Sequence, residues 1–573
     1  MKLGALPAPG VTWGLALAFC AWALLDALVF KMASGLGNST YDAMIRARVV
    51  VAAPDPRVVI VDIDEASLAR MAPEFGRWPW PRDTLATVLD YLEKQKVEAV
   101  VWDVVFSDAD RLSPGGDKAF DEAAKRSANS HFAVVRLPVE YDMQSKVTRS
   151  VLPGLWLPTD APASSTVAVI PPVLPAVAAG KLGYNNGYTD ADGVLRRYRL
   201  QESLPDGGQL QSLALSVARQ VGVSSVSSNT MKIIANYPIY TSEKSPIFFQ
   251  NIDSLMVWRA KANSYPRIAF ADLFVQAEGG KPLAPVPSLA GKVVLIGATA
   301  SSLHDIHPTP LGAQHAGVDS LATAIDNAVN QRHMAELPRW LQALLATLLC
   351  IGMAWWVQRN GISSLDAALL LLPGALLGIS YVSLNGSPVF IDLHLAAGVA
   401  LLFIGLLHVW NGWRRNFWCS PPTAIAANAD NCQTTLGIMA LHMARPAADI
   451  GLDALIRAIE AHAPKCRVVG GGDATASWPA QLRWPELLHT AAIAGPINQL
   501  TSLRSALLAD SATNKNRPAL LGLHISVCSE PAAVPEPITR EQWAAHARAA
   551  HSAHLGTDVA TALIATPKAR QVL

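Results

Sequence analysis

Residues 58–65 read VVIVDIDE, an unbroken β-branched run that ends in acidic residues. Such a run is typical of a strand buried on both faces of a parallel sheet and followed by a loop. The next segment, GRWPWPRD at residues 76–83, contains two prolines that exclude a helix interior. Asp83 is expected to cap an apolar-periodic helix over residues 84–94.

A second buried strand is predicted over residues 97–105, with Asp103 near its end. A strand, a helix and a strand joined by short links form a βαβ unit, which implies parallel pairing. Further along, Asp192 and Gly193 predict a tight turn into a strand that starts at Val194. Residues 291–300 predict another strand that runs into a loop of small residues, and residues 319–330 predict a helix.

Four long apolar stretches surround this α/β region. They cover residues 11–30, 340–357, 365–384 and 389–410. Each is close to the roughly 20 residues that cross a bilayer as a helix. The sequence therefore predicts a membrane protein with four transmembrane helices, an α/β domain over residues 31–339 and a small α/β domain over residues 411–573.

Flanking cations predict the orientation of these segments. Arg414 and Arg415 close the last stretch, and Arg359 lies in the turn after the second. By the positive-inside rule, we expect residues 1–10 and the C-terminal domain in the cytosol, and residues 31–339 in the periplasm. The protein would then be a multi-pass protein of a bacterial inner membrane. The first stretch exceeds a signal-peptide core and lacks a clean cleavage site, so a retained anchor is expected.

Composition and cysteine placement agree with this arrangement. Hydrophobic residues make up 51% of the chain and charged residues 16%, while the net charge is +1. So small a charge predicts no nucleic-acid partner. All six cysteines lie in the apolar stretches or the C-terminal domain. Residues 31–339 therefore contain no thiol that could mispair in an oxidising compartment, although chance could also produce this distribution.

Several separate motifs of the outer domain resemble the type 2 CHASE sensor domain, in the same order. They are Asp62-x-Asp64-Glu65, Trp78-Pro79-Trp80-Pro81-Arg82, Trp102-Asp103-Val104-x-Phe106, Asp192-Gly193-Val194-x-Arg196-Arg197, and Val294-x-Ile296-Gly297-Ala298-Thr299-Ala300 with Thr309-Pro310-Leu311-Gly312. The resemblance implies an extracytoplasmic module of membrane cyclases and kinases that senses a ligand. It does not imply the chemistry of that ligand.

Candidate ligand-binding residues follow from these motifs. Five acids, Asp62, Asp64, Glu65, Asp103 and Asp108, are expected near the carboxyl ends of strands, where α/β sheets bind ligands. The motif residues Asp192, Arg196 and Thr299 complete the candidate set. Carboxylates there would suit calcium or magnesium, although the same acids could instead cap helices and bind loop amides. We name no catalytic residue and no cofactor, and the question of a metal stays open.

The C-terminal domain is similar to a GGDEF, or diguanylate cyclase, domain. The predicted elements are a strand over 435–442, a helix over 452–462, a strand over 467–469, a helix over 498–510, a strand over 521–528 and a helix over 541–554. Gly471, Gly472 and Asp473 would occupy the signature hairpin and contact nucleotide. The segments Asp453-Ala454-Leu455 and His524-Ile525-Ser526-Val527 resemble the preceding helix and a late strand.

The departures from the GGDEF pattern argue against catalysis. That family joins two GTP molecules with metal ions held by carboxylates. Here Ala474 and Thr475 occupy the fourth and fifth signature positions, and residues 436–442 contain no acid. Three interpretations stay open: a degenerate GGDEF fold, an unrelated α/β domain with a glycine turn, and an active cyclase.

These observations together predict a homodimeric membrane sensor. Its periplasmic domain would sense an unknown ligand or partner, and its cytosolic domain would act by binding a protein partner or a nucleotide. The alternatives are an active nucleotide cyclase and a scaffold subunit of an envelope complex.

Overall fold

The structure, a computed structural model, describes residues 8–30, 32–111, 113–158, 161–221, 251–259, 264–303, 305–332, 334–360, 362–418, 436–443, 450–471, 490–513 and 520–527. The chain divides into two compact units. The sheet unit contains Met32–Pro338 and Gly378–Asp392. The helical unit contains Met1–Lys31, Arg339–Leu377 and Leu393–Leu573.

The N-terminal apolar stretch is helical, as predicted. Helix α1 covers Ala8–Leu25 and continues through a π-helical segment, Asp26–Phe30. Helix α2, Met32–Arg46, opens the sheet unit.

The remaining elements of residues 58–336 alternate between strands and helices. In chain order they are β1 Val58–Ile63, α3 Glu65–Phe75, α4 Arg82–Lys94, β2 Ala99–Trp102, α5 Pro114–Arg126, β3 Ser130–Arg136, β4 Val169–Ile170, α6 Pro175–Ala178, β5 Lys181–Tyr184, β6 Arg197–Ser203, β7 Gln209–Gln211, α7 Leu213–Val221, β8 Asn251–Leu255, β9 Arg267–Ala269, α8 Phe270–Ala277, β10 Val293–Ala298, β11 Ile306–Thr309, β12 Gly312–Ala316, α9 Gly317–Val329 and β13 Ala335–Glu336.

A mostly parallel sheet forms the centre of the sheet unit. Its order is β4-β3-β2-β10-β1-β9, with β5 also paired to β3. All pairs are parallel except β3 with β4. All six residues of β1 are buried, which confirms the prediction from its β-branched run.

Helices cover both faces of this sheet. Val59 and Val61 belong to the hydrophobic core that also contains residues of α4, α5 and α8. Ile60 is equally buried but is not part of that core, because successive side chains of a strand point to opposite faces. Helix α9 packs against α7 and β10.

The two strands of the predicted βαβ unit, β1 and β2, run parallel as predicted, but they are not neighbours in the sheet. Strand β10 lies between them, with Val293 paired to both Val58 and Ala99. A fully buried strand needs partners on both sides for its backbone groups, and β10 obtains them here. Such a distant insertion has no local sequence signal.

Several predicted boundaries shift. Helix α4 begins at Arg82, so Asp83 lies inside its first turn, and the N-cap residue, Pro81, makes no side-chain capping bond. The turn at Asp192 and Gly193 is confirmed, since Gly193 has φ of 79°. The following strand, however, begins at Arg197 rather than at Val194.

Three further apolar helices follow. They are α10 Arg339–Asn360, α11 Asp366–Gly386 and α12 His394–Trp418. Among the described residues, four helices in all, counting α1, are long and apolar enough to cross a membrane. The last begins five residues later than the predicted start at residue 389, because Val389–Phe390 forms strand β14 and pairs with β13.

The C-terminal segment forms a separate antiparallel sheet. Its elements are β15 Leu436–Met443, α13 Ile450–His462, β16 Arg467–Gly471, β17 Thr490–Pro496, α14 Ile497–Thr513 and β18 Leu520–Val527. The strand order β16-β17-β15-β18 and the βαββαβ succession are those of a ferredoxin-like arrangement. The sequence did not predict β17. Gly472, Asp473 and the helix predicted over 541–554 lie outside the described residues.

Candidate ligand-binding site

A cleft opens at the carboxyl ends of the central parallel strands. Ile63 at the end of β1, Asp103 just after β2 and Ala298 at the end of β10 form part of its wall. Its volume is about 480 Å³, enough for a small organic molecule. The carboxyl ends of strands are where open α/β sheets bind ligands, so we call this feature the strand-end cleft.

The strand ladder fixes the position of Asp103. Its backbone N–H donates to the carbonyl of Ile296 at 2.9 Å, which continues the pairing of β2 with β10. Gly297, on β10, lies so close that a Cβ there would be 2.6 Å from Val318 and 3.3 Å from the Cβ of Asp103. Close packing among β10, α9 and the segment after β2 therefore requires glycine at this position.

A short chain of hydrogen bonds reaches Asp103 from the opposite wall. The Asn185 amide donates to the Asp103 carboxylate at 2.7 Å. The Tyr198 hydroxyl donates in turn to the Asn185 carbonyl oxygen at 3.2 Å. Asn185 follows β5 and Tyr198 lies on β6, so the Asp103 carboxylate is linked by hydrogen bonds to two segments far from it in the sequence.

An aspartate and a histidine complete the polar part of the cleft. Asp305 and His307 form an ion pair of 3.4 Å. The Gly317 N–H donates to the Asp305 carbonyl at 2.9 Å, and a Cβ at Gly317 would lie 2.2 Å from the Asp305 carboxylate. Only glycine at the start of α9 lets this carboxylate approach the helix so closely.

These groups shift one another's protonation. Burial raises the pKa of Asp103 to about 7, and the charge of Asp305 adds to the increase. The Asn185 hydrogen bond and the charge of His307 oppose that rise. Hydrogen bonding to Asp305 raises the pKa of His307. At neutral pH the Asp103 carboxyl is therefore divided between its charged and neutral forms.

The other walls are apolar. Trp78, Pro79, Leu303 and Leu321 line the cleft, and the Trp78–Pro79 peptide bond is cis. None of the described residues that line it is lysine or arginine. Ser320 also lines it, is 4% exposed, and its hydroxyl has no hydrogen-bond partner among the described residues.

Of the candidate residues, Asp103 lies in the cleft, whereas Asp62 and Thr299 lie beside it and bind other groups. The Asp62 carboxylate accepts from the Thr299 hydroxyl at 2.6 Å and from the Arg267 guanidinium at 2.8 Å. Arg267 also pairs with Asp319 at 2.5 Å. Asp62 is thus held in an internal ion-pair network.

Three further candidate acids bind local groups. Asp64 caps α3, because its carboxylate accepts from the Ser67 N–H at 2.7 Å. Glu65 accepts from the Ser302 N–H at 3.0 Å. Asp108 is exposed and accepts from the Ser107 hydroxyl at 2.9 Å. None of these three lines the described cleft.

Asp192 and Arg196 belong to a different group of charges. Arg196, which is 1% exposed, pairs with Asp42 at 2.7 Å, Asp190 at 2.8 Å and Asp192 at 2.7 Å. The next residue, Arg197, pairs with Asp190 and with Glu336 at 2.7 Å. We call these six residues the arginine cluster: Asp42, Asp190, Asp192, Arg196, Arg197 and Glu336.

Sequence reasoning missed most of the polar cleft residues. They are Asn185, Tyr198, Asp305, His307 and Ser320. Asp305 and His307 offered a signal, because an acid and a histidine two residues apart follow a predicted strand and its loop. The other three come from elements whose placement depends on the tertiary fold.

The described residues contain no group of three or more histidine, cysteine, aspartate or glutamate side chains arranged to hold a metal ion. In the C-terminal sheet, Gly471 ends strand β16 and leads into the β16–β17 connection. Gly472 and Asp473, the other candidate nucleotide-binding residues, lie outside the described residues.

Comparison with known proteins identifies the region that carries the cleft. A family model described as the CHASE2 domain matches residues 15–356, more than half of the chain. The match includes part of α1 and nearly all of α10, and it ends before the C-terminal sheet. No curated protein and no solved structure matched the chain. The chain belongs to the CHASE2 family of extracellular sensor domains.

Proposed function

We propose that this chain is a multi-pass sensor of a bacterial inner membrane whose strand-end cleft binds a small periplasmic ligand. The observation that carries the proposal is the cleft of about 480 Å³ inside the CHASE2 region, with an acid whose pKa is raised to about 7. An acid that lies in a cleft and whose pKa is shifted strongly by burial is a candidate functional residue. Apolar walls with a few convergent polar groups are also typical of small-molecule sites.

The arginine cluster offers a route from the sheet unit to its flanking segments. Asp42 lies on α2, directly after the N-terminal apolar helix, and pairs with Arg196. Glu336 lies on β13, three residues before α10, and pairs with Arg197. A ligand-induced shift of the segment around Arg196 would therefore act on both ends of the domain.

We propose that the C-terminal domain acts without catalysis, by binding a cytosolic protein or a nucleotide, in a homodimeric protein. Its βαββαβ order supports a degenerate GGDEF fold, in which Gly471 enters the signature hairpin. Strand β15 has the sequence LGIMALHM, without a carboxylate to hold a catalytic metal. A buried ion pair of 2.7 Å between Arg414 on α12 and Glu460 on α13 supports transmission from the last apolar helix to this domain.

The same topology supports an active diguanylate cyclase as a second candidate. Incubation of the full-length protein with GTP and magnesium, followed by mass spectrometry, separates the two. We expect no cyclic di-GMP, because Ala440 and Ala474 cannot replace metal-binding carboxylates. Product that disappears in Asp473→Ala would establish the cyclase instead.

Ligand binding to the cleft is tested with full-length protein in lipid nanodiscs. We expect a small molecule that binds the cleft to raise the unfolding temperature of the wild type. Ala298→Leu fills the cleft and should abolish that rise. Asp108→Asn, a nearby exposed change, should preserve it. A rise that is equal in the wild type and in Ala298→Leu would place binding elsewhere.

The proposed orientation is tested by labelling introduced cysteines with a membrane-impermeant maleimide. Asp206→Cys, in the exposed turn between β6 and β7, should react in intact cells. Lys465→Cys, exposed before β16, should react only after lysis, and the wild type supplies the background. Labelling of both cysteines from the same side would contradict the proposed topology.

A further inference from the structure

We infer that the strand-end cleft binds a small organic cation, an ammonium group on a partly apolar body, with Asp103 as its counter-ion. This inference rests on the proposed function, in which the cleft is the ligand site of the sensor. It adds the chemical class of the ligand and the group that recognises its charge.

The charges around Asp103 leave one position for a cation. Asp305 and His307 face Asp103 from the segment before β12, and they form an ion pair with each other. Tyr198 faces it from β6, and burial keeps that phenol neutral by raising its pKa. Asn185 supplies an uncharged amide. Asp305 and His307 balance each other, so among the described residues that line the cleft the Asp103 carboxylate is the charge without an opposite partner.

A carboxylate in this setting favours a cationic ligand. Removing a carboxylate from water without a paired cation is unfavourable, and a partner of opposite charge recovers much of that free energy. Two buried acids of the same motifs have such partners, Arg267 for Asp62 and Arg196 for Asp192. Asp103 has an amide in that place, so the cation must come from outside the described cleft residues.

The walls favour an organic cation over a metal ion. Trp78, Leu303 and Leu321 can cover an apolar body, and an aromatic side chain in the wall can contact an ammonium group through its ring. Calcium and magnesium require six or more oxygen ligands. The described residues contain no group of three acidic, histidine or cysteine side chains suited to a metal.

Ser320 is an independent sign that a polar ligand atom belongs in the cleft. Its hydroxyl is buried, lines the cleft and lacks a hydrogen-bond partner among the described residues. A buried hydroxyl without a hydrogen-bond partner is unfavourable, because it has lost its contacts with water. A ligand N–H or O–H that contacts Ser320 would remove this penalty, and it would place the ligand's polar end between α9 and Asp103.

Such binding is coupled to a proton. The pKa of Asp103 is about 7, and an adjacent ammonium group lowers it, so binding near neutral pH releases a proton from the carboxyl to solvent. Because the cation binds the ionised form, affinity should rise from pH 6 to pH 8. Ionisation of Asp103, with a pKa near 7, contributes about a tenfold rise over this range.

The test uses full-length protein in nanodiscs with three cationic probes: choline, ethanolamine and phenethylamine. Dimethylbutanol, the uncharged carbon isostere of choline, serves as the neutral control. Acetate serves as the anionic control, and magnesium serves as the metal control. Thermal stabilisation and calorimetric titration are measured at pH 6 and pH 8. The variants are Asp103→Asn, Ser320→Ala, Ala298→Leu and, as matched control, Asp108→Asn.

We expect a cationic probe to bind at up to millimolar concentration, more tightly at pH 8, while its neutral isostere does not bind. Asp103→Asn should weaken binding by about tenfold or more and remove the part of the pH dependence that comes from Asp103. Asp108→Asn should leave binding unchanged. Ser320→Ala should weaken it less than Asp103→Asn does, which gives a second test if the aspartate variant folds poorly.

Two results would overturn the inference. One is equal binding of cations to the wild type and to a folded Asp103→Asn. The other is that acetate, magnesium or the neutral isostere binds while the cations do not, and that Ala298→Leu blocks this binding. The cleft would then still be the ligand site, but for another class of ligand. If no probe of any charge binds, both the inference and the proposed ligand site fail.

Discussion

The strand-end cleft and the arginine cluster use the same acidic residue type in opposite ways. In the arginine cluster, the hydrogen bond from Arg196 lowers the pKa of Asp192. In the cleft, burial raises the pKa of Asp103 to about 7, and the carboxylate accepts a hydrogen bond from the uncharged Asn185 amide. An acid that pairs with a guanidinium inside the protein contributes to the fold. An acid without a guanidinium partner can instead pair with a charged ligand.

The largest expected effect comes from removing Arg196, the more buried of the two cations of the arginine cluster. Arg196→Met would leave Asp42, Asp190 and Asp192 without the guanidinium that all three contact. Breaking a buried pair in this way typically destabilises a protein by about 3–5 kcal/mol. Denaturant unfolding of the full-length protein measures the loss.

The matched control for Arg196→Met is Arg126→Ala. Arg126 pairs with Asp90 at 2.8 Å, but both side chains are largely exposed. An exposed pair contributes at most about 1 kcal/mol. Similar losses in the two variants would show that the arginine cluster is no more important to stability than a surface pair.

The second-largest expected effect is an increase in stability, produced by Asp103→Asn. The folded-state pKa of Asp103, about 7, lies above the unfolded value of about 4, so the folded state holds a proton that the unfolded state has lost. Wild-type stability should therefore fall as pH rises through this window. Asp103→Asn removes the charge and should stabilise the protein at pH 8 by about 1–3 kcal/mol, after allowance for water in the cleft.

The same variant should differ little from the wild type near pH 4, where both side chains are neutral. Urea unfolding at pH 4 and pH 8 provides the comparison. Destabilisation of Asp103→Asn at pH 8 would mean that the fold requires the ionised carboxylate.

A smaller effect should follow from Asp305→Asn. Asp305 raises the pKa of both Asp103 and His307. Its removal should therefore move the stability loss assigned to Asp103 to lower pH, with a change in unfolding free energy below about 1 kcal/mol. An unchanged pH profile would indicate that burial alone sets the protonation of Asp103.

The smallest effect is expected from Asp108→Asn. Asp108 is exposed and bonds a neighbouring hydroxyl, so the change in unfolding free energy should stay within about 0.5 kcal/mol at every pH tested. A larger change would mean that the acids after β2 act as a group and that Asp103 is not distinctive.

Local patterns in the sequence predicted a substantial part of this structure. The buried run at residues 58–63, the turn at Gly193 and the apolar helices depend on neighbouring residues, and they appear close to their predicted positions. The position of β10 between β1 and β2 depends on contacts across about 200 residues, which no local pattern encodes. The C-terminal strand β17 was missed because its run of small residues, TAAIAGP, lacks a strong strand signal.

The residues of the candidate site also differ in whether a local sequence pattern could predict them. Asp103 was accessible to sequence reasoning because it follows a buried strand. The roles of Asp62 and Asp103 could not be separated, because Arg267, which pairs with Asp62, lies 205 residues away. Ser320 gave no signal either, since a serine in a helix is ordinary until its hydroxyl is found buried and without a partner among the described residues.

The protonation of Asp103 can be measured directly by infrared difference spectroscopy of the full-length protein, comparing the wild type with Asp103→Asn over a pH titration. We expect a protonated-carboxyl band in the wild type that titrates with a midpoint near pH 7 and is missing in the variant. We also expect a bound cationic probe to move the midpoint to lower pH. A wild type without a carboxyl that titrates above about pH 5, or a band that persists in Asp103→Asn, would contradict the claim that this acid lacks a cationic partner.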